Sequence, residues 1–230
     1  MKKEKPLIGT SLLRFALKTA GGFMLFLGIA YFLLIAQNNI PIDKELPRHP
    51  LLNQWRQIDR ISDFRGKVVL VDFWFQSCAP CLAEMQQFPY LLEKYGDQLQ
   101  IMSISIDPAA QTKRLLEEKP EPWAFIQKDN PNWTFYSDNR RVKSYVRDLD
   151  ITTLPSYLLI SPDGEILSSP RSGALAIDIH FQGYPSLKLA GSYLWAKFWT
   201  MRNVWIPLLA FLGLWEVAKH RKRLSSVLKK

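Results

Sequence analysis

Two cysteines, the only ones among 230 residues, have a spacing that suits redox chemistry, since Cys78 and Cys81 form a Cys-Ala-Pro-Cys sequence. An apolar, β-branched run ends just before them, and a helical pattern begins with them. A cysteine at a helix N-terminus is stabilised as a thiolate by free N–H groups and by the helix dipole. A thiolate attacks disulfides, and a second thiol three residues on can resolve the mixed disulfide that forms. The pair therefore predicts thiol–disulfide exchange.

Metal binding and simple packing are the other two uses of this spacing. Zinc needs two further ligands, and the sequence offers only the scattered His49, His180 and His220. A free cysteine also packs in a core as a small hydrophobic residue. The position of the pair, between a buried strand and a helix, favours redox chemistry over both.

The elements around the pair predict a layered α/β domain. Residues 67–75 are almost all apolar or β-branched, which indicates a buried central strand. After the pair, apolar residues recur every three or four positions and predict a helix that Gly96 ends. This order of elements predicts a mixed sheet flanked by helices. The other predicted elements are strands at 99–106, 123–126, 156–161 and 165–168, helices at 108–118 and 139–149, and a loop through 130–132.

The net charge of +9 is carried by the two ends of the chain. Residues 1–18 contain five Lys or Arg and one Glu, and residues 219–230 contain six Lys or Arg and no acid. The body between them is close to neutral. A nucleic-acid partner is therefore not expected, because phosphate binding needs a basic face on the folded domain.

An uncharged apolar run of 18 residues, 19–36, follows the first basic tail. As a helix it would be about 27 Å long, close to the thickness of a bilayer core. A cleaved signal peptide is the alternative. The run is longer than the usual apolar region of such a peptide, and no small-x-small cleavage site follows it, so an uncleaved transmembrane anchor is predicted.

A second membrane segment is predicted at 203–218, where the sequence contains Pro207 and Glu216. A short span back to the cytoplasm would place both basic tails inside, as the positive-inside rule favours. An amphipathic helix on the membrane surface remains the alternative. Both arrangements place residues 40–190 outside the cytoplasm of a bacterium, at the inner membrane and on its periplasmic or extracytoplasmic side, where disulfides are permitted.

These patterns divide the chain into seven regions. The predicted order is a basic tail 1–18, an anchor 19–36, a tether 37–58, a redox domain 59–170, a linker and interfacial aromatic segment 171–202, the membrane segment 203–218, and a basic tail 219–230.

Several motifs together resemble the thioredoxin fold over about residues 50–170. They are Asp72-Phe73-Trp74, Cys78-Ala79-Pro80-Cys81, and Leu154-Pro155 before a strand and a Pro-Asp-Gly turn. The preceding Gly-Lys-Val-Val-Leu-Val, the Glu84-Met85 pair and the predicted anchor resemble the TlpA/ResA-type branch. The sequence departs from that branch at Ser77, where it usually has Trp, and at Leu82, where a basic residue is common.

The resemblance implies a role for each matching residue of the dithiol and its rim. Cys78 would be the nucleophile and Cys81 the resolving thiol. Pro155 would be a cis-proline facing the disulfide, and the Leu154 backbone would pair with an extended substrate segment. Substrate would also contact Ser77, Ala79 and Pro80, which surround the reactive sulfur.

Two acids complete the predicted site. Asp72 lies six residues before Cys78, at the offset of the buried thioredoxin acid, and burial would raise its pKa to suit proton exchange with Cys81. Glu84 matches a carboxylate that ResA-type proteins use near the active site. The alternatives are a solvated strand-end Asp72 and a solvated Glu84 on the helix surface.

The function implied is a membrane-tethered thiol–disulfide oxidoreductase that exchanges disulfides with extracytoplasmic proteins, such as apocytochrome or other secreted thiol proteins. The resemblance favours a reductant, and an oxidant or an isomerase is the alternative direction. The partners would include the lipid bilayer and a membrane electron donor, and the redox group would be the Cys78–Cys81 disulfide itself, with no added cofactor. A non-catalytic thioredoxin-fold binding module is the alternative. Copper delivery would need a Cys-x-x-x-Cys spacing, which the sequence lacks.

Overall fold

The computed structural model describes residues 45–200, apart from 138, and part of 21–36. The described residues of 21–36 are helical. Of the predicted anchor 19–36 the structure thus describes only a part, and the predicted segment 203–218 lies outside the described residues, as do both basic tails. Within the described part of the chain, no helix combines the length and the apolar character that crossing a membrane requires.

A five-stranded mixed sheet forms the centre of the fold, with the strand order β5-β4-β3-β6-β7. The strands β3, β4 and β5 are parallel, whereas β6 is antiparallel to β3 and β7 is antiparallel to β6. The mixed sheet predicted from the sequence is confirmed. The strands are β1 (Leu51–Leu52), β2 (Ile58–Asp59), β3 (Val68–Trp74), β4 (Leu99–Ser105), β5 (Trp133–Tyr136), β6 (Ser156–Ile160) and β7 (Ile166–Ser168), with β1 and β2 forming a separate small hairpin.

Helices cover both faces of this sheet. They are α1 (Ala79–Met85), α2 (Phe88–Tyr95), α3 (Ala109–Glu118), α4 (Asn139–Asp148) and α5 (Gly173–Gln182), with 3-10 turns at Ile61–Phe64 and Gly96–Gln98. The chain divides into two compact units, Met1–Pro185 and Ser186–Lys230. The second unit contains the helix α6 (Leu187–Thr200).

The central strand β3 is buried along its whole length and supplies side chains to both faces. Val69, Val71 and Phe73 belong to the core that α4 closes with Val142 and Tyr145. Alternation along the strand sends Leu70, Asp72 and Trp74 to the opposite face. The helix α5 lies against that second face. A Cβ added at Gly173 would be 2.8 Å from the Tyr157 ring and 2.9 Å from Leu70 Cδ2, so this approach requires glycine.

Two sequence predictions about the elements are wrong. Residues 123–126 form turns rather than a strand, and the edge strand of the sheet is Trp133–Tyr136 instead. Both stretches are rich in aromatic residues, so composition does not distinguish them. The helix predicted after the cysteines is two helices, which meet at Gln86 and Gln87.

The region 171–202 is not a linker in its first part. Residues Gly173–Gln182 form α5, which contacts β3 and β6 and belongs to the domain. Every residue from Gly173 to Ile179 is buried, so the helix is apolar on most of its circumference. It therefore lacks the polar face that makes a surface helix recognisable in a sequence.

Candidate active site

The two cysteines lie where β3 ends and α1 begins. Cys78 is the N-cap of α1, and its Sγ accepts a hydrogen bond of 3.2 Å from the Cys81 backbone N–H. The two residues are joined as a disulfide, with Cα atoms 5.2 Å apart. Cys78 is 4% exposed and Cys81 is fully buried. The sulfur of Cys78 is thus the one that a substrate can reach first.

The predicted rim residues flank Cys78 in the chain and are more exposed than it is. Ser77, Ala79 and Pro80 are all exposed. Pro80 lies in the first turn of α1, where its missing N–H costs no helical hydrogen bond. The exposed rim leaves room for a protein substrate to approach Cys78.

Asp107 holds the loop that leads into Cys78. Its Oδ2 accepts a 2.6 Å hydrogen bond from the backbone N–H of Gln76. Its own N–H donates to Ser105 Oγ at 3.2 Å, which ties the carboxylate to the end of β4. The Cys78 N–H in turn donates to the Phe75 carbonyl at 3.1 Å. Sequence reasoning missed Asp107, because its partner is 31 residues away in the chain.

Pro155 lies at the same end of the sheet as the cysteines. The Leu154–Pro155 peptide bond is cis, as the resemblance implied. Phe73 pairs with Ser156 across the β3–β6 ladder. The preceding residue, Pro155, therefore lies opposite the end of β3, at the edge where the chain turns towards Cys78.

An apolar groove of about 270 Å³ opens beside this edge. Leu154 and Phe75 form part of its wall, and Ile106 adds a side chain that is 46% exposed. Sequence reasoning missed the groove, since it is formed by three separate connections between elements together with Val146 of α4. The residues lining this apolar groove are Phe75, Ile106, Val146, Ile151, Thr152, Thr153 and Leu154.

Asp72 lies fully buried on the sheet face opposite to the α4 core. Burial raises the pKa of Asp72 to about 8, and the charge of Glu84 adds to the rise, whereas a hydrogen bond from Ser103 opposes it. That bond joins Ser103 Oγ to Asp72 Oδ2 at 3.1 Å, and Trp133 Nε1 donates to the same Oγ at 2.9 Å. The alternative of a solvated Asp72 is wrong.

Glu84 lies on α1 and is half-buried rather than freely solvated. Its Oε2 accepts hydrogen bonds from Ser172 Oγ at 3.0 Å and from the Ala174 N–H at 3.2 Å. These donors are at the start of α5, where free N–H groups and the helix dipole favour a carboxylate. The predicted acid therefore connects the cysteine helix to α5, and its charge acts on Asp72.

The aromatic residues near the site are packed in the core. Trp123, Trp133 and Phe135 are all at least 96% buried. Trp123 packs against Trp74 with ring centroids 5.2 Å apart, and Trp133 packs against Phe135 at 5.1 Å. Their side chains are therefore part of the core.

This combination of mixed sheet, helix-terminal cysteine pair and neighbouring cis-proline defines a thioredoxin-like domain. Residues 42–169 match the AhpC/TSA family, and the chain belongs to that family.

Several individual relatives are named as thiol-disulfide oxidoreductases. The chain is 31% identical over 129 residues to the thiol-disulfide oxidoreductase ResA of Oceanobacillus iheyensis, a match that covers 54% of this chain and 59% of that protein. A match to the Bacillus cereus ResA, at 26% identity, covers 73% of this chain and 88% of the relative. The thioredoxin domain of a thiol-disulfide oxidoreductase from Bacteroides vulgatus is 25% identical, with a TM-score of 0.47, over 63% of this chain and 99% of that domain. The names of the two ResA relatives are consistent with a thioredoxin-like oxidoreductase activity.

Proposed function

We propose that this protein is a thiol–disulfide oxidoreductase that reduces disulfides in extracytoplasmic proteins. One observation carries the proposal: the Cys78–Cys81 disulfide lies at the start of α1, where Cys78 keeps 4% of its surface exposed and Cys81 keeps none. A binding module would need neither this asymmetry nor a buried acid on the sheet face next to α1.

Reduction of a substrate proceeds in two exchanges. The Cys78 thiolate attacks one substrate sulfur, the substrate S–S bond breaks, and the released thiolate takes a proton from water. Cys81 then gives up its proton and attacks Cys78 Sγ. The Cys78–substrate bond breaks and the second substrate thiolate leaves. The substrate gains two electrons, and the protein is left with the Cys78–Cys81 disulfide, which a membrane dithiol donor must reduce.

Asp72 is assigned as the proton acceptor for Cys81. Its pKa of about 8 means that both its charged and neutral forms are present near neutral pH. The carboxylate can therefore accept the proton of the Cys81 thiol during substrate reduction, and the carboxylic acid can return it when the disulfide is reduced again. Glu84 is assigned as a positioning residue, because its charge acts on the pKa of Asp72.

The location outside the cytoplasm is part of the proposal. The apolar run 19–36, the two basic tails and the apolar segment 203–218 support attachment to the inner membrane of a bacterium. A disulfide-permitting compartment follows from this placement. Within it, secreted thiol proteins, apocytochrome among them, are the proposed substrates.

Two cysteine variants of the whole chain test the function. Cys78→Ser should abolish exchange, because no other thiol is placed to attack. Cys81→Ser should accumulate mixed disulfides between Cys78 and the natural substrate, which non-reducing gels and mass spectrometry detect. Unchanged activity of Cys78→Ser would support the binding module instead. A reduction potential near or below about −250 mV supports a reductant, and one near −120 to −180 mV indicates an oxidant or isomerase.

A further inference from the structure

The sheet face that α5 covers carries buried polar atoms without a hydrogen-bond partner. Among the residues that the structure describes, Asp72 Oδ1, Trp74 Nε1 and Tyr157 OH are in this state. Asp72 and Tyr157 are direct partners in the β3–β6 ladder, so their side chains leave the sheet on the same face. An unpaired buried polar atom costs free energy, and native folds contain few of them. The proposed mechanism uses Asp72 and gives Tyr157 no part.

The Tyr157 side chain extends from the sheet to the start of α5, where Glu84 is bound. A Cβ added at Gly173 would be 2.8 Å from the Tyr157 ring. The two groups that donate to Glu84 Oε2 belong to the residues on either side of Gly173. The ring therefore reaches from the strand position beside Asp72 to the helix turn that holds the second acid.

We propose that Tyr157 is a positioning residue for the resolving step, because its hydroxyl donates through one bridging water to Asp72 Oδ1 and stabilises the carboxylate that takes the Cys81 proton. The inference rests on the proposed function and adds a residue to it. One water between the hydroxyl and Oδ1 would give both unpaired atoms a partner, as buried waters commonly do. Tyr157 acts through Asp72 rather than on a sulfur.

The tyrosine hydroxyl keeps its proton under the conditions in which Asp72 titrates. Burial raises the pKa of Tyr157 well above its usual range, and the charges of Glu84 and Asp72 add to the rise. A protonated hydroxyl can donate to a carboxylate, and a hydrogen bond to the charged form favours that form. Ser103 Oγ already donates to Asp72 Oδ2 at 3.1 Å. Tyr157 would supply the matching donor for Oδ1.

Other titratable groups belong to the elements that pack around this face. Apart from Asp72 itself, they are Tyr157 of β6, Cys81 and Glu84 of α1, Tyr90, Glu93, Lys94 and Tyr95 of α2, and Asp178 and His180 of α5. Glu84 has a charge that raises the pKa of Asp72. Asp178 is paired with Lys94 at 2.9 Å, and His180 is exposed. The test therefore leaves Glu84 unchanged in every variant.

Stopped-flow oxidation of the whole reduced chain by dithiobis(nitrobenzoate) separates the two exchanges. Attack by Cys78 breaks the S–S bond of the probe, releases one coloured thiolate and forms a mixed disulfide, at a rate that rises with probe concentration. Attack by Cys81 on Cys78 Sγ then releases the second thiolate, and the Cys81 proton passes to Asp72. The rate of this second phase does not depend on probe concentration, and it is measured from about pH 5.5 to about pH 10.

Tyr157→Phe keeps the ring and removes the hydroxyl. We expect the pH midpoint of the second phase to rise by about one unit and the rate at about pH 7 to fall about tenfold, because the carboxylate loses a donor. The first phase should be unchanged. In an Asp72→Asn background the same substitution should have no further effect on the second phase, because the hydroxyl acts through the carboxylate.

Tyr136→Phe is the matched control. Tyr136 is also fully buried, but it belongs to the α4 core, and its hydroxyl bonds to Asp59 and Thr134. Removing this hydroxyl should keep the wild-type pH midpoint even where it lowers the stability. Thermal unfolding of each variant establishes that it is folded.

An unchanged pH midpoint in Tyr157→Phe would overturn the role of Tyr157 and leave the proposed function intact. A tenfold loss that persists in the Asp72→Asn background would also overturn it, because the hydroxyl would then act on another group. Absence of a second phase in the wild type, while a control thioredoxin reacts with the probe, would instead count against the proposed function, and the role of Tyr157 would fail with it.

Discussion

The two faces of the central sheet have opposite chemistry although one strand supplies both. On the α4 side, β3 contributes Val69, Val71 and Phe73 to a core of apolar side chains. On the opposite side, it contributes a buried carboxylate, Asp72, whose neighbour on β4 is Ser103 and whose neighbour on β6 is Tyr157. The first face stabilises the fold, whereas the second keeps a titratable group in a place where burial disfavours its charge. We therefore expect the functional carboxylate to lower the stability of the fold, and the apolar α4 face to carry no such cost.

The largest expected effect is a cavity in the apolar face. Phe73→Ala removes a fully buried ring from the α4 core, and such truncations cost about 3–5 kcal/mol of unfolding free energy. Denaturant unfolding of the whole chain measures this loss. Exchange activity per folded molecule should stay near wild type, because Phe73 points away from Asp72. A loss of activity out of proportion to the folded fraction would contradict the separation of the two faces.

Replacing the buried acid should slow the reaction and stabilise the fold. Asp72→Asn keeps the shape and an acceptor for Ser103 but cannot accept a proton, so resolution by Cys81 should slow by about 10²-fold. The same variant should raise the unfolding free energy of the oxidised protein, because a neutral amide replaces a carboxyl group whose charged form is disfavoured by burial. Mixed-disulfide lifetimes measure the first effect and denaturant unfolding the second.

The pH dependence of this gain follows from the pKa of Asp72. That pKa rises from 3.8 to about 8 on folding, so between these values the native state binds a proton that the unfolded state releases. The unfolding free energy of the wild type should therefore fall as pH rises through this window. Asn does not titrate, so the advantage of Asp72→Asn should be near zero at about pH 4 and largest above about pH 8. If the unfolding free energies of the wild type and of Asp72→Asn changed with pH in the same way, Asp72 would not be the group responsible for the pH dependence.

Sequence analysis predicts the local features of the site and misses those that depend on distant parts of the chain. Strand β3, the position of the cysteine pair between a strand and a helix, and the cis bond before Pro155 were predicted correctly, because each depends on a local pattern of neighbouring residues. The helix α5 was missed, since it is buried on most sides and has no polar face to mark it. Ser103 and Asp107 were missed for another reason. Each acts through a hydrogen bond to a residue 31 positions away, and the strand register that brings them together is not written in any short motif.

A buried acid on α5 gives a third test of the comparison, with a smaller expected effect than the first two. Asp178 is fully buried and accepts hydrogen bonds from Lys94 Nζ at 2.9 Å and Tyr95 OH at 2.6 Å, which fasten α5 to α2. Asp178→Asn should lower the unfolding free energy by about 2 kcal/mol, because the lysine loses a charged partner. Unlike Asp72→Asn, it should lower stability at neutral pH. A stability gain would mean that buried acids on this face are costly in general and that Asp72 is not special.

The smallest effect is expected at the loop between β3 and α1, which Asp107 holds through the Gln76 N–H. Asp107→Ala removes the acceptor for the Gln76 N–H and should slow the attack by Cys78 by about tenfold, since small displacements of reacting groups reduce rates. Asp107→Asn keeps an acceptor oxygen without the charge and should retain most of the rate. Gln111→Ala is the control, because it removes only an exposed bond to the Gln76 side chain. If the Ala and Asn variants were equally slow, the charge of Asp107 rather than its hold on the loop would matter, and the thiol pKa of Cys78 should then differ from wild type in both.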